Sequence, residues 1–203
     1  MLKTPTAKLI MLFTMILFSG NVMAQDVISN SSDDTKFNQS INMCPIAVAF
    51  NMYSFNYEYL VAKRHGLVAR FEYAPLSEKY SGEKVEADDI GFILSYRYHF
   101  SPQMNSIFVS AFARYGVYDG TGTSNSTDFD FTITDLLIGA NVGKRWVWDN
   151  GFNIVFALGY GISMNDTETK PSNSDIKSTL NKFKDEDTVL SPMFGELSIG
   201  YAF

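Results

Sequence analysis

The stretch that decides the fold is Phe152-Asn153-Ile154-Val155-Phe156-Ala157-Leu158-Gly159-Tyr160-Gly161-Ile162-Ser163. Phe152, Ile154, Phe156, Leu158, Tyr160 and Ile162 share one parity. Asn153, Val155, Ala157, Gly159, Gly161 and Ser163 share the other. Successive side chains of a strand point to opposite faces, so this segment presents one broad apolar face and one face of small or polar residues. Segments of about ten residues that alternate in this way are the sequence signature of a transmembrane β-barrel, with the apolar face suited to lipid and the small face to a narrow interior.

Working outward, the same split recurs. In residues 90–100 the outward set is Ile90, Phe92, Leu94, Tyr96, Tyr98 and Phe100, and the inward set holds Gly91, Ser95, Arg97 and His99. In residues 106–118 Ile107, Val109, Ala111, Ala113, Tyr115 and Val117 oppose Arg114, and in residues 66–74 Leu67, Ala69, Phe71 and Tyr73 oppose Arg70 and Glu72. Connections alternate in length. Residues 62–66, 101–105 and 149–151 are tight turns, the last containing the hairpin pair Asn150-Gly151. Residues 77–89, 119–128 and 164–188 are longer, polar and acid-rich, and are expected to form outer loops, because outer-membrane barrels keep short turns on the periplasmic side. In the third, Ser174 with Ile176, Leu180 and Phe183 predicts a short capped helix with Lys177, Lys182 and Lys184 facing water; a frayed loop is the alternative.

These turns give seven strands between Phe55 and Phe203, and a bacterial single-chain barrel takes an even number. Ile46, Val48 and Phe50 alternate with Ala47 and Ala49, so residues 46–50 are the candidate eighth strand, followed by an outer turn over residues 51–54. A single long, bulged first strand is the competing reading. The change of parity between Phe129, Phe131, Ile133 and Ile138, Ala140, Val142 predicts a bulge near Asp135. The expected fold is all-β: an eight-stranded antiparallel up-and-down transmembrane β-barrel over residues 43–203, preceded by a flexible periplasmic leader over residues 25–42.

Residues 1–24 carry Lys3 and Lys8, an apolar run over residues 9–18 interrupted only by Thr14, then Gly20 and the small-residue end Val22-Met23-Ala24. That is the three-part pattern of a secretory signal peptide cleaved after Ala24. The run is about half the roughly 20 residues a helix needs to cross a bilayer. The whole chain is 203 residues with a net charge of -6, and removing the segment takes away two lysines and no acid. Such a charge balance excludes a protein that coats nucleic-acid phosphates. A mean hydropathy of -0.04 excludes a polytopic helical membrane protein, and 17 Phe with 11 Tyr exclude a disordered chain. Cys44 is the single cysteine and His65 and His99 the only histidines, so no disulfide and no Cys/His metal cluster is expected, and no cofactor. Cys44 reads as a buried thiol.

The last residues, Leu197-Ser198-Ile199-Gly200-Tyr201-Ala202-Phe203, place Leu197, Ile199, Tyr201 and Phe203 on one face and end on an aromatic. They look like the C-terminal signal read by the outer-membrane assembly machinery. The segment from Gly139-Ala140-Asn141-Val142-Gly143 through Lys144-Arg145-Trp146-Val147-Trp148, with Asn150-Gly151-Phe152, Gly159-Tyr160-Gly161, Tyr57-Glu58-Tyr59-Leu60 and Tyr96-Arg97-Tyr98, resembles a family of small, uncharacterised Bacteroidetes-type outer-membrane β-barrel proteins. The resemblance covers residues 46–203. It implies a barrel similar to the eight-stranded OmpA and OmpX, which serve mainly as envelope anchors, adhesins or defence proteins, and lends no settled activity.

The parities place Glu58, Glu72 and Glu196 with Arg70, Arg97, Arg114 and Arg145 inside the barrel, with Asn141 and His99 nearby. Unpaired charge is costly in an enclosed space, so these groups are expected to form an ion-pair network that fills and stiffens the barrel; an ion path or gate is the alternative. Tyr96, Tyr98, Phe100, Trp146 and Trp148 are expected to form the aromatic girdle at the inner interface. Glu83, Glu86, Asp88 and Asp89 in one loop and Asp185, Glu186 and Asp187 in another lack the regular calcium-loop spacing and read as solvated acids. Neither histidine is placed to activate Ser163 or Ser198, so no enzyme is expected. The sequence thus predicts a monomeric, non-enzymatic outer-membrane scaffold whose loops meet an unknown extracellular partner. Its other partners are outer-membrane lipid, lipopolysaccharide and, through the C-terminal strand, the assembly machinery. A small pore or transporter-like channel is the second reading. Mixed-sign pairing in the interior predicts closure, and a lining of one sign predicts conduction.

Overall fold

The computed structural model describes residues 36–49, 51–80, 83–185 and 190–203. The signal segment, its cleavage point and most of the leader lie outside these residues, as do Phe50, Glu186 and Asp187. Period-two alternation produces strands β1 Gln39–Met43, β2 Tyr53–Ala62, β3 His65–Tyr80, β4 Glu83–His99, β5 Ile107–Ser124, β6 Thr127–Val147, β7 Phe152–Lys170 and β8 Met193–Ala202. Each is antiparallel to the next, and β1 also pairs with β8, from Ser40↔Ala202 to Met43↔Ile199, so the described strands close into an eight-stranded up-and-down barrel. The seam is extended by Phe203, whose carbonyl accepts from the amides of Asn38 and Gln39 and whose amide donates to Gln39 O.

The first strand differs from expectation. Of the strand expected over residues 46–50, the described residues 46–49 do not form strand; helix α1, Pro45–Val48, lies there, and β1 starts earlier, at Gln39, inside the segment expected to be leader. Pro45 has no amide to give a ladder and its fixed φ suits the first turn of a helix. The turn is tied across β2 by Cys44 N to Ser54 O and Met52 N to Ala47 O. The parity change between Ile46 and Tyr53 is therefore the passage through a helix and not a bulge. Cys44 is only half-buried.

The bulge expected near Asp135 is also absent. The β5–β6 register steps evenly from Ile107↔Lys144 to Ser124↔Thr127, and β6–β7 from Asp130↔Lys170 to Val147↔Asn153. What changes along β6 is the chemistry of its two faces. From Leu136 to Val142 the outward residues Leu136, Ile138 and Val142 are apolar and exposed, whereas from Asp128 to Thr134 the outward residues are Asp128, Asp130, Thr132 and Thr134, and the inward Phe129, Phe131 and Ile133 are buried. β4 repeats the exchange: Val85 and Ala87 point inward with Glu86 and Asp88 outward, and beyond Asp89 the outward face becomes Ile90, Phe92 and Leu94.

Hence, of the segments expected to be outer loops over residues 77–89 and 119–128, residues 77–80, 83–89, 119–124 and 127–128 are strand. Tyr80 still pairs with Glu83, and the β5–β6 hairpin turns only at Asn125 and Ser126, both at positive φ, as a two-residue hairpin requires. Their polar outward residues hid the alternation, which had moved its apolar half to the inside. The third segment continues β7 to Lys170 and then forms helix α2, Ser174–Asp185, capped by Asn173 Oδ1 accepting from Ile176 N at 2.8 Å. Ile176, Leu180 and Phe183 recur at helical spacing and pack with Val85, Ala87, Tyr118, Phe129, Phe131 and Ile133.

Candidate functional site

The inward face at the short-turn half of the barrel gathers all seven of the sequence-predicted charged residues into one alternating chain. Arg145 Nη2 donates to Glu58 Oε2 at 2.6 Å, and Arg97 Nη1 donates to the same oxygen at 2.7 Å. Arg97 Nη2 turns to Glu196 Oε2 at 2.5 Å, which Arg70 Nη2 also meets at 2.5 Å. Arg70 Nη1 lies 3.4 Å from Glu72 Oε1, and Arg114 Nε donates to Glu72 Oε2 at 3.3 Å. Each guanidinium is a planar fork that serves two acceptors, which is why arginine and not lysine fills these positions.

The chain is longer than the sequence reading made it. Arg114 Nη2 donates to both oxygens of Asp89, at 2.7 and 2.6 Å, and Nη1 stands 3.9 Å from Asp135, whose other partner is the Ser163 hydroxyl. Asp89 is therefore an inward anchor and not a solvated loop acid, and Asp135 is a luminal carboxylate and not the apex of a bulge. Continuing the odd parity of Gly91, Ser95 and Arg97 back to Asp89, and of Gly139, Asn141 and Arg145 back to Asp135, is the signal that finds both. His99 Nε2 sits 2.8 Å from Glu58 Oε1, Asn56 Nδ2 donates to Glu196 Oε1 at 3.2 Å, and Ser40 Oγ accepts from Arg145 Nη1. Asn141 is buried on the same inward face, its amide without a hydrogen-bond partner among the described residues.

Apolar groups occupy the remaining space. Arg97 lies over the Phe108 ring at 4.3 Å and Arg70 over Phe194 at 4.8 Å, contacts that stabilise a desolvated guanidinium through the ring face. Ile93, Phe112, Leu137 and Val155 pack with these rings. At the short-turn end Leu60, Met104 and Ala202 form a second buried cluster, against which Phe37 and Val147 pack. At the long-strand end the cluster held by α2 is buried in turn. Charges of both signs thus alternate between two apolar closures.

The residues expected to form the aromatic girdle stand on the outer wall at the short-turn end: Tyr96, Phe100 and Trp148 are exposed, Tyr98 and Trp146 half-buried. Tyr98 meets Phe100 edge-on at 5.7 Å, and Lys144 Nζ lies 5.4 Å from the Trp146 ring. Leu197, Ile199, Tyr201 and Phe203 share the outward face of β8 and the seam. The histidines take other partners than serine. His65 Nδ1 is 2.5 Å from Tyr96 Oη and His99 faces Glu58, while Ser198 Oγ donates to Glu196 at 2.9 Å. Among the described residues, no group of three or more His, Cys, Asp or Glu is arranged to hold a metal ion.

Fold and site together define a closed antiparallel β-barrel with an ion-paired interior and an apolar outer band. Residues 10–203 match the family described as a protein of unknown function (DUF3575), and the chain belongs to that family. Among solved structures it is similar to CarO of Acinetobacter baumannii, at 11% identity and a TM-score of 0.42, over 82% of this chain and 97% of that one. It is similar also to CarO2 of the same organism, at 12% identity and a TM-score of 0.41, over 82% and 98%. No curated protein matches the chain.

Proposed function

We propose that the protein is a sealed outer-membrane barrel, exported by its N-terminal signal, that works as a non-enzymatic scaffold holding a rigid β-wall and its capping helix outside the cell. The observation that carries this reading is the alternating chain from Arg145 to Asp89, enclosed between the cluster at Met104 and the cluster under α2. Eight strands enclose an interior that side chains can fill, and paired charges of opposite sign leave no lining of one sign along which ions would move. The exposed outward band of Phe71, Phe92, Leu94, Ile107, Tyr115, Ile138, Val142 and Leu158 supports burial in lipid, since a contiguous apolar surface of that extent is not kept in water. Trp146 and Trp148, with Lys144 reaching past the ring, suit the headgroup level on the periplasmic side.

In this arrangement the surface offered to a partner is strand and helix, and the shape of that surface is held by the apolar packing beneath it. Purified protein in planar bilayers should show no sustained openings, and cell fractionation should recover it from the outer membrane with a compact form that migrates faster before boiling. Stable ion-selective openings would replace the scaffold with a channel, and a soluble chain without the mobility shift would remove the membrane from the account.

A further inference from the structure

Between the outer end of β7 and α2 lies an open cleft of about 380 Å3. Lys177, Asn181 and Lys184 come to it from one stripe of α2, at spacings of four and three residues that stack side chains along a helix face. From the β7 side come Thr167, Thr169 and Ser172. Leu180, which also borders the cleft, is buried against the barrel cluster and fixes the helix that carries the two lysines.

The charge of this cleft is opposite to that of the chain. The protein has 22 acids against 16 bases, yet the cleft lining contains two ammonium groups and one carboxylate, that of Asp166. Lys184 Nζ reaches only neutral oxygens, Asn165 Oδ1 at 3.4 Å and Thr167 Oγ1 at 3.3 Å. No carboxylate lies within ion-pair distance of Lys177 or Lys184 among the described residues. A lysine held at such a position keeps its capacity to bind an anion, and hydroxyls and an amide around it both donate and accept, as the hydroxyls of a sugar require. We propose that this cleft binds an anionic saccharide, a sugar bearing a phosphate or a carboxylate, with Lys177 and Lys184 on the charge and Thr167, Thr169, Ser172 and Asn181 on the ring hydroxyls.

The proposal concerns α2 and β7 and does not depend on whether the barrel conducts, so the two readings fail separately. The test is amide-resolved NMR titration of the full chain in detergent with glucose 6-phosphate, glucose and inorganic phosphate. Glucose 6-phosphate should shift Thr167, Thr169, Lys177 and Asn181 and bind about tenfold more tightly than either glucose or phosphate, a difference of roughly 1.4 kcal/mol. The Lys177→Gln, Lys184→Gln double variant should lose about that factor while keeping the heat-modifiable fold, Lys182→Gln should lose nothing, and Thr169→Val should weaken the sugar but not phosphate. A phosphorylated sugar carried by rough lipopolysaccharide should shift the same amides if the ligand belongs to the membrane itself, whereas competition by the free sugar alone assigns a soluble source. Equal binding of inorganic phosphate, or no shift with any probe, overturns the saccharide site.

Discussion

Glu58 receives two guanidiniums on one oxygen and His99 on the other, so it holds the short-turn half of the ion chain as Glu196 holds the middle. Removing a single partner from such a buried group leaves charge uncompensated, at a cost of about 3–5 kcal/mol. Glu58→Gln and Glu196→Gln should each lower urea stability of the detergent-folded protein by an amount in that range. Glu72→Gln should cost clearly less, because its side chain is 20% exposed and water can replace the lost carboxylate; small, equal losses for all three would mean a hydrated interior. Packing limits act on the same scale at the seam. A Cβ on Gly200 would come within 2.0 Å of Ile41 O, whereas one on outward-facing Gly195 meets nothing within 4 Å. Gly200→Ala should therefore reduce the heat-modifiable compact form on gels and Gly195→Ala leave it unchanged. Parity alone located Glu58, Glu72, Glu196, Arg70, Arg97, Arg114 and Arg145, because large apolar neighbours on the opposite face fixed which side was inside. It did not locate Asp89 or Asp135, which sit where the outward face changes from polar, at Asp88 and Thr134, to apolar, at Ile90 and Leu136.

At the scale of elements, the strands that were legible are those whose outward residues are apolar along their whole length, such as the part of β7 from Phe152 to Ile162. Five-residue β1 offers only Ile41 and Met43 as apolar outward positions, too short a run to stand out from a polar leader. The outer parts of β3 to β6 were hidden for a different reason: a strand whose outward face is acidic and whose inward face is apolar reads, segment by segment, as a polar loop with scattered hydrophobics. Helix α2 was legible from Ile176, Leu180 and Phe183, although its destination over the barrel was not. Phe183 is fully buried in that cluster and meets Phe131 edge-on at 5.8 Å. Phe183→Ala removes this anchor, a loss of about 3–5 kcal/mol for a buried aromatic. Limited proteolysis should then cut within residues 171–192 while the remaining barrel keeps its mobility shift; unchanged resistance would show that α2 is not held by this contact. Deleting Phe203 takes away the backbone bonds to Asn38 and Gln39 together with the terminal aromatic of the proposed assembly signal. Outer-membrane levels of folded protein should fall, and undiminished levels would show that neither contribution limits assembly.

At the scale of the whole molecule, one wall meets two environments. β6 has 21 residues, roughly 70 Å of strand at about 3.3 Å per residue, and even when tilted by about 45° it rises well beyond an apolar band of about 25 Å. The short-turn part turns its hydrophobic residues outward and pairs its charges within; the long-strand part turns Asp128, Asp130 and Thr132 outward and packs Phe129, Phe131 and Ile133 beneath α2. The sheet from β3 to β7, which continues past the ends of β1, β2 and β8, thus changes along β6 without a register break from a surface fit for lipid to a surface fit for water. The most direct measurement is a nitroxide scan of the outward positions of β6 in reconstituted bilayers, comparing accessibility to oxygen and to a water-soluble relaxation agent. Labels at Ile138, Ala140 and Val142 should favour oxygen, and labels at Asp128, Asp130 and Thr132 should favour the water-soluble agent, with the crossover near Thr134 and Leu136. Water-like accessibility along all of these positions, or lipid-like accessibility continuing to Asp128, would contradict it.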